Sequence, residues 1–101
     1  MPIQKGHVLV VPKLEIDNIF DLPLDIYNGL FSFARQVSFA MQKVIDCKRI
    51  GISVIGFEVP HAHIHLIPIN SINDIDFKNK KTIKEDEIEL IAYKISKELK
   101  V

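Results

Sequence analysis

Three stretches of the chain have the length and the β-branched composition of strands: Gly6–Val11, Arg49–Ile55 and His61–Ile67. Pro12 closes the first stretch, because a proline cannot donate to a strand ladder. A short segment, Gly56-Phe-Glu-Val-Pro60, separates the other two. We therefore expect the second and third strands to be antiparallel neighbours.

Two further stretches repeat apolar residues at helical spacing. The first runs from Leu24 to about Ile45 and follows Pro23, which a first helical turn tolerates. The second covers about residues 83–100 and follows Thr82-Ile-Lys-Glu85, a capping-box sequence that places Thr82 at the N-cap. The order strand, helix, strand, strand, helix predicts an α+β fold with an antiparallel sheet, one long helix and a C-terminal helix.

The composition limits the classes of protein to consider. A chain of 101 residues with 48% hydrophobic residues predicts a single domain over residues 1–101. Thirteen basic and thirteen acidic residues give no net charge, so we expect neither a nucleic-acid nor a membrane partner. The lone cysteine, Cys47, and the lack of a long apolar stretch favour a soluble cytoplasmic protein.

Three of the four histidines occupy alternating positions, at His61, His63 and His65. In a strand these side chains would project from one face, about 6.6 to 6.8 Å apart, while Ala62 and Ile64 face the other way. Three imidazoles contribute less apolar burial than valine or isoleucine would, so packing alone does not account for them.

Two kinds of chemistry use such a row. Neutral imidazoles bind zinc, and side chains two residues apart on a strand can share a metal. Alternatively, one imidazole acts as a nucleophile while its neighbours stabilise the anion that forms. The spacing alone leaves both possibilities open.

The motif itself resembles a known family. His61-Ala-His63-Ile-His65-Leu-Ile67 matches the signature of the histidine triad (HIT) family of nucleotide hydrolases and transferases. Upstream, Gly6-His7-Val-Leu-Val-Val-Pro-Lys13 resembles the Gly-His strand of that family, in which the histidine also belongs to the active site. The resemblance extends to about Ile69.

The resemblance implies a reaction and a set of roles. The middle histidine, here His63, would attack the α-phosphorus of a purine nucleotide or nucleoside phosphoramidate and form a nucleotidyl-histidine that water cleaves. In the family the nucleophilic ring is oriented through its other nitrogen and the flanking histidines contact phosphate oxygens, and by position these roles would pass to His61, His65 and His7. In family members of this size the long helix lies beside the strand that pairs across a two-fold axis, so the resemblance implies a homodimer, and it implies no cofactor.

The chain departs from the family pattern in two regions. Family members have a further helix and strands before the Gly-His strand, where this sequence has only Met1–Lys5. We therefore expect an N-terminally truncated domain with an open sheet edge, an uncovered apolar surface and an incomplete nucleoside pocket. In the phosphate region, Glu58 takes a position where the family often has an amide or hydroxyl, and Ser53 corresponds to a family asparagine. Glu58 either faces the phosphate or points to solvent.

Other functions remain open at this point. The chain could be a nucleotide-binding or dimeric assembly module without turnover, or it could hold a metal on its histidines. The basic segment Lys78–Lys84 is most simply explained as a solvated loop.

Overall fold

The computed structural model describes residues 2–57, 59–78 and 81–99. Three strands form one antiparallel sheet: β1 (Val8–Val10), β2 (Arg49–Ser53) and β3 (Ile64–Ile69). Their order in the sheet is β1-β3-β2, so β3 lies in the centre. The predicted α+β fold and the predicted antiparallel neighbours are confirmed.

The register of the sheet aligns three residues, one from each strand. Leu9 of β1 and Ser53 of β2 both lie opposite His65 of β3. Residues directly opposite one another in an antiparallel pair point to the same face. The three aligned side chains therefore lie on one face of the sheet. Leu66 lies on the opposite face and is buried in the core.

The described part of the chain also contains two α-helices, α1 (Leu24–Val44) and α2 (Glu85–Glu98), and two single-turn 3₁₀ helices, Ile19–Asp21 and Ile72–Asp74. The long helix is continuous through Gly29 and contacts the sheet and α2. One stripe of α1 is buried and consists of Leu30, Ala34, Val37, Ala40 and Met41. No helix among the described residues is long and apolar enough to cross a bilayer.

The third strand begins later than the sequence pattern indicates. The pattern predicts a start at His61, but pairing starts where Val10 meets Ile64. Because Pro12 ends the possible ladder on β1, the residues before Ile64 are held by loop contacts instead. The Ala62 N–H donates to the carbonyl of Ile16 over 2.7 Å, and the His61 N–H donates to Val59 over 2.8 Å.

The predicted capping box in front of α2 is wrong. The helix begins at Glu85, and its N-cap is Lys84, whose side chain makes no capping bond. Thr82 therefore lies two residues before the N-cap, too early to cap the first turn. The acidic first turn, Glu85–Glu87, is present as expected and suits the helix dipole.

Gly6 is the residue that the turn before β1 requires. Its φ angle is 87°, and a Cβ added there would meet the side chains of Ile45 and Pro68. We expect Gly6→Ala to lower the free energy of unfolding by about 2 kcal/mol, through the left-handed backbone and the steric contact together.

Gly29→Ala is the matched control, because a Cβ added to this helical glycine would meet no heavy atom within 4 Å outside its own stretch of helix. This change should raise the free energy of unfolding by up to about 1 kcal/mol. Urea denaturation of both variants measures the difference. Equal effects of the two substitutions would contradict the role given to Gly6.

Candidate active site

Burial alternates along the segment that carries the three histidines. Ala62 is 2% exposed and Ile64 is fully buried, whereas His61, His63 and His65 are only partly buried. This alternation follows from extended backbone, in which successive side chains point to opposite sides. The segment therefore builds the core with one side and presents imidazoles on the other.

A row of hydrogen bonds links three imidazoles. His7 Nε2 lies 2.9 Å from His65 Nδ1, and His65 Nε2 lies 3.1 Å from His63 Nε2. The row ends on the backbone at both sides. The Ile3 N–H lies 3.1 Å from His7 Nδ1, and His63 Nδ1 lies 2.7 Å from the carbonyl oxygen of His61.

The backbone partners determine where the protons sit. A carbonyl oxygen only accepts, so His63 Nδ1 must carry the proton and, in the neutral ring, His63 Nε2 is bare. His63 Nε2 then accepts from His65 Nε2–H, and the bare His65 Nδ1 accepts from His7 Nε2–H. This leaves His7 Nδ1 bare, which agrees with the Ile3 N–H that points at it.

The ring of His61 points away from this row. Its Nε2 donates to the carbonyl oxygen of Pro12 over 2.8 Å, and its ring is not part of the cavity beside His63 and His65. A phosphate contact of His61 stays a prediction, since its Nε2 is bonded to the Pro12 carbonyl here. His61 contributes its carbonyl, which orients His63, while its ring ties this segment to the end of β1.

His7 is held in its neutral form. Burial is the main cause that lowers the pKa of His7 from 6.5 to about 4, and repulsion from the N-terminus, and from His65 whenever that ring is protonated, acts in the same direction. Protonation of His7 Nδ1 would also place a second N–H against that of Ile3. His7 is therefore uncharged at neutral pH, and the hydrogen bonds of the row keep the direction described above.

A cavity of about 300 Å³ opens beside the row. His7, His63 and His65 supply its polar side, and apolar side chains form the rest, namely Ile3, Leu9, Ile55, Phe57, Val59 and Phe77. The ring of Phe77 meets that of His65 edge-on, with centroids 4.8 Å apart. Sequence reasoning missed Ile3 and Phe77 as site residues, because neither belongs to a motif and only the tertiary fold brings them here.

The remaining predicted site residues are placed as follows. Ser53 is partly buried and lies directly across the sheet from His65. Glu58 lies outside the residues that the structure describes.

Within residues 2–57, 59–78 and 81–99, no group of three or more histidine, cysteine, aspartate or glutamate side chains is arranged to hold a metal ion.

Two named enzymes are among the relatives in sequence. The chain is 35% identical over 72 residues to a bis(5'-nucleosyl)-tetraphosphatase (asymmetrical) of Schizosaccharomyces pombe, covering 66% of this chain and 40% of that protein. It is 31% identical over 87 residues to a bis(5'-adenosyl)-triphosphatase of Dictyostelium discoideum, covering 81% and 56%. The chain thus spans about half the length of these relatives.

The fold has close counterparts among solved structures. A Hit-like protein from Bartonella henselae superposes with a TM-score of 0.82 at 24% identity, covering 98% of this chain and 75% of that one. The family model of the HIT domain matches residues 1–72, which include both the Gly-His strand and the three alternating histidines. The chain therefore belongs to the histidine triad family.

Proposed function

We propose that this protein is a nucleotide hydrolase that acts at the α-phosphate through a nucleotidyl intermediate on His63. The observation that carries the proposal is the direction of the hydrogen bonds, which leaves a bare Nε2 on His63 beside an open cavity. An unprotonated imidazole nitrogen is a competent nucleophile towards phosphorus.

The resting site keeps this lone pair occupied. His63 Nε2 accepts from His65 Nε2–H over 3.1 Å, so the two nitrogens must separate before either can act. An α-phosphate that enters between them would release the lone pair of His63 towards phosphorus. The same movement would let His65 Nε2–H donate to a phosphate oxygen, where negative charge grows in the transition state.

The first chemical step forms a bond between His63 Nε2 and the α-phosphorus. The bond from phosphorus to the leaving group breaks, and the leaving group departs with the electron pair and takes a proton from solvent. The ring of His63 now carries a positive charge. Its Nδ1–H already donates to the carbonyl of His61, and that hydrogen bond becomes stronger when the donor is charged.

The second step restores the enzyme. Water attacks the α-phosphorus and releases a proton to solvent, the bond from phosphorus to His63 Nε2 breaks, and the electron pair returns to the ring. The products are a nucleoside monophosphate and a neutral His63. A P–N bond to a cationic imidazole breaks readily, which suits it to turnover.

We assign the substrate groups to the site as follows. The purine ring or an apolar leaving group occupies the apolar part of the cavity, where Phe57 and Phe77 offer aromatic surface. Ser53, across the sheet from His65, binds a phosphate oxygen. Glu58 remains a candidate substrate contact on sequence grounds alone. The reaction needs no cofactor and takes place in the cytoplasm.

We also propose that the chain forms a homodimer through the outer edge of β2. This strand lies at one end of the described sheet, and Ile52 on it is 56% exposed. Val54 and Ile55, just beyond the strand, are 37% and 48% exposed. A strand edge that carries exposed apolar residues is suited to pair with a second copy.

The central test uses adenosine 5'-phosphoramidate and diadenosine tetraphosphate as substrates. The native chain should release AMP from both, because attack occurs at the α-phosphorus in each case. His63→Ala and His63→Gln should each lower kcat/KM by at least about 10³-fold, since neither side chain can form the intermediate.

Ser96→Ala serves as the control, because this hydroxyl lies on α2 and donates to the carbonyl of Tyr93. It should keep the native rate. Equal rates for the native chain and both His63 variants would refute the proposed mechanism. Binding of AMP without any turnover would favour a nucleotide-binding module.

The low pKa of His7 predicts a pH-dependent stability. Between pH 6.5 and about 4 the unfolded chain binds a proton at this position and the folded chain does not. The free energy of unfolding should therefore fall as the pH drops through this window, with His7 contributing on the order of 2 kcal/mol once solvent screening of its half-buried ring reduces the full shift. His7→Gln cannot titrate and should lose less stability over the same window, as measured by urea denaturation at pH 7 and at a pH of about 4. Parallel losses in both proteins would contradict the assignment.

The dimer proposal predicts that Ile52→Lys yields a monomer while the native chain sediments as a dimer at micromolar concentration, because a lysine charge is costly in an apolar interface. Leu90→Lys is the matched control, since Leu90 is 53% exposed but lies on α2. This variant should remain dimeric. A well-folded monomer of the native chain at tens of micromolar would refute the proposal.

A further inference from the structure

The N-terminal segment Pro2–Gln4 lies at the far end of the imidazole row, outside both histidine motifs. Ile3 is 1% exposed, so its backbone N–H is enclosed by protein. That N–H donates to His7 Nδ1 over 3.1 Å. A buried donor with a nitrogen acceptor is costly to leave unpaired, so this contact constrains which nitrogen of His7 holds the proton.

Hydrogen bonds link the segment Pro2–Gln4 to the region of the chain that precedes α2. The Lys81 N–H donates to the Pro2 carbonyl over 2.7 Å, and Lys81 Nζ donates to Gln4 Oε1 over 2.8 Å. Gln4 Nε2 donates to the Asp74 carbonyl over 3.0 Å. These bonds fix the Ile3 N–H in position from both sides, and they use a loop that also places Phe77 against His65.

The reversed arrangement of protons is disfavoured at both ends of the row. With the opposite tautomers, His7 Nδ1–H would face the Ile3 N–H, and a bare His63 Nδ1 would face the His61 carbonyl oxygen. Each end thus places either two donors or two acceptors in contact. The Ile3 N–H influences the protonation of His63 through the rings of His7 and His65, which lie between them.

We propose that Ile3 is a positioning residue, whose backbone N–H sets the tautomers of His7 and His65 and thereby keeps Nε2 of His63 bare. The proposal rests on the proposed function for its catalytic consequence, but the tautomers themselves can be observed without any substrate. It assigns a role in the reaction to a segment that carries no reactive side chain.

The direct test is nitrogen-15 NMR of the imidazoles in the full native chain. The proposal expects His7 and His65 to be protonated at Nε2 only, and His63 to be protonated at Nδ1 only. A His7 ring protonated at Nδ1 in the native chain at pH 7 would overturn it, whatever the enzymatic activity.

The matched variants are Ile3→Pro, which removes the N–H, and Ile3→Val, which keeps it and reports the effect of side-chain packing. Relative to Ile3→Val, we expect Ile3→Pro to raise the Nδ1-protonated fraction of His7 and to lower kcat by about two- to tenfold, with KM nearly unchanged. The loss is partial because the His61 carbonyl still favours the same direction. Identical tautomers and identical kcat in the two variants would overturn the proposal.

Gln4→Leu provides a second approach if Ile3→Pro does not fold. It removes both side-chain bonds of Gln4 while the Ile3 N–H remains, so the tautomers of His7 should become mixed to a smaller extent. Unchanged tautomers in Gln4→Leu would refute the anchoring part of the proposal. Absence of turnover in the native chain, together with the expected tautomers, would refute the proposed function and leave the positioning role standing.

Discussion

The arrangement of the site depends on one continuous row of hydrogen bonds that begins at a backbone N–H and ends at a backbone carbonyl. The Ile3 amide and the His61 carbonyl are both fixed by the fold, and three imidazoles span the distance between them. Because a peptide N–H only donates and a peptide oxygen only accepts, such a row has one direction. The direction of the row decides which nitrogen of His63 carries the proton and which keeps a lone pair for attack. The Ile3 N–H and the His61 carbonyl determine that direction.

The rest of the fold holds the components of this row at the required distances. Antiparallel pairing places β1 beside β3, which brings His7 next to His65 although 58 residues separate them in sequence. The opposite face of the same strand, with Ile64 and Leu66 fully buried, packs into the core under α1. The core therefore fixes the strand backbone that carries His63 and His65, so the stability of the sheet and the placement of the site depend on the same contacts.

The sequence predicted the elements well, because they follow from local periodicity. The spacing of apolar residues located α1, and β-branched runs located all three strands. The failures lie where distant residues decide the outcome. The start of β3 depends on where Pro12 ends the ladder of β1, and the orientation of the His61 ring depends on a carbonyl 49 residues away. Ile3 and Phe77 reach the site only through tertiary contacts, so no motif could have indicated them. Glu58 lies outside the described residues and remains a prediction from sequence.

The central claim is that His63 forms a covalent bond to the substrate phosphorus. The most direct measurement is capture of that intermediate, by mixing the native chain with adenosine 5'-phosphoramidate, quenching within one turnover in alkaline denaturant, and locating the modification by peptide mass spectrometry. The account predicts one adenylyl group on the peptide at His63, which appears before AMP and decays as AMP forms. AMP release in the first turnover with no adduct at His63, or with the adduct on His65, would contradict it.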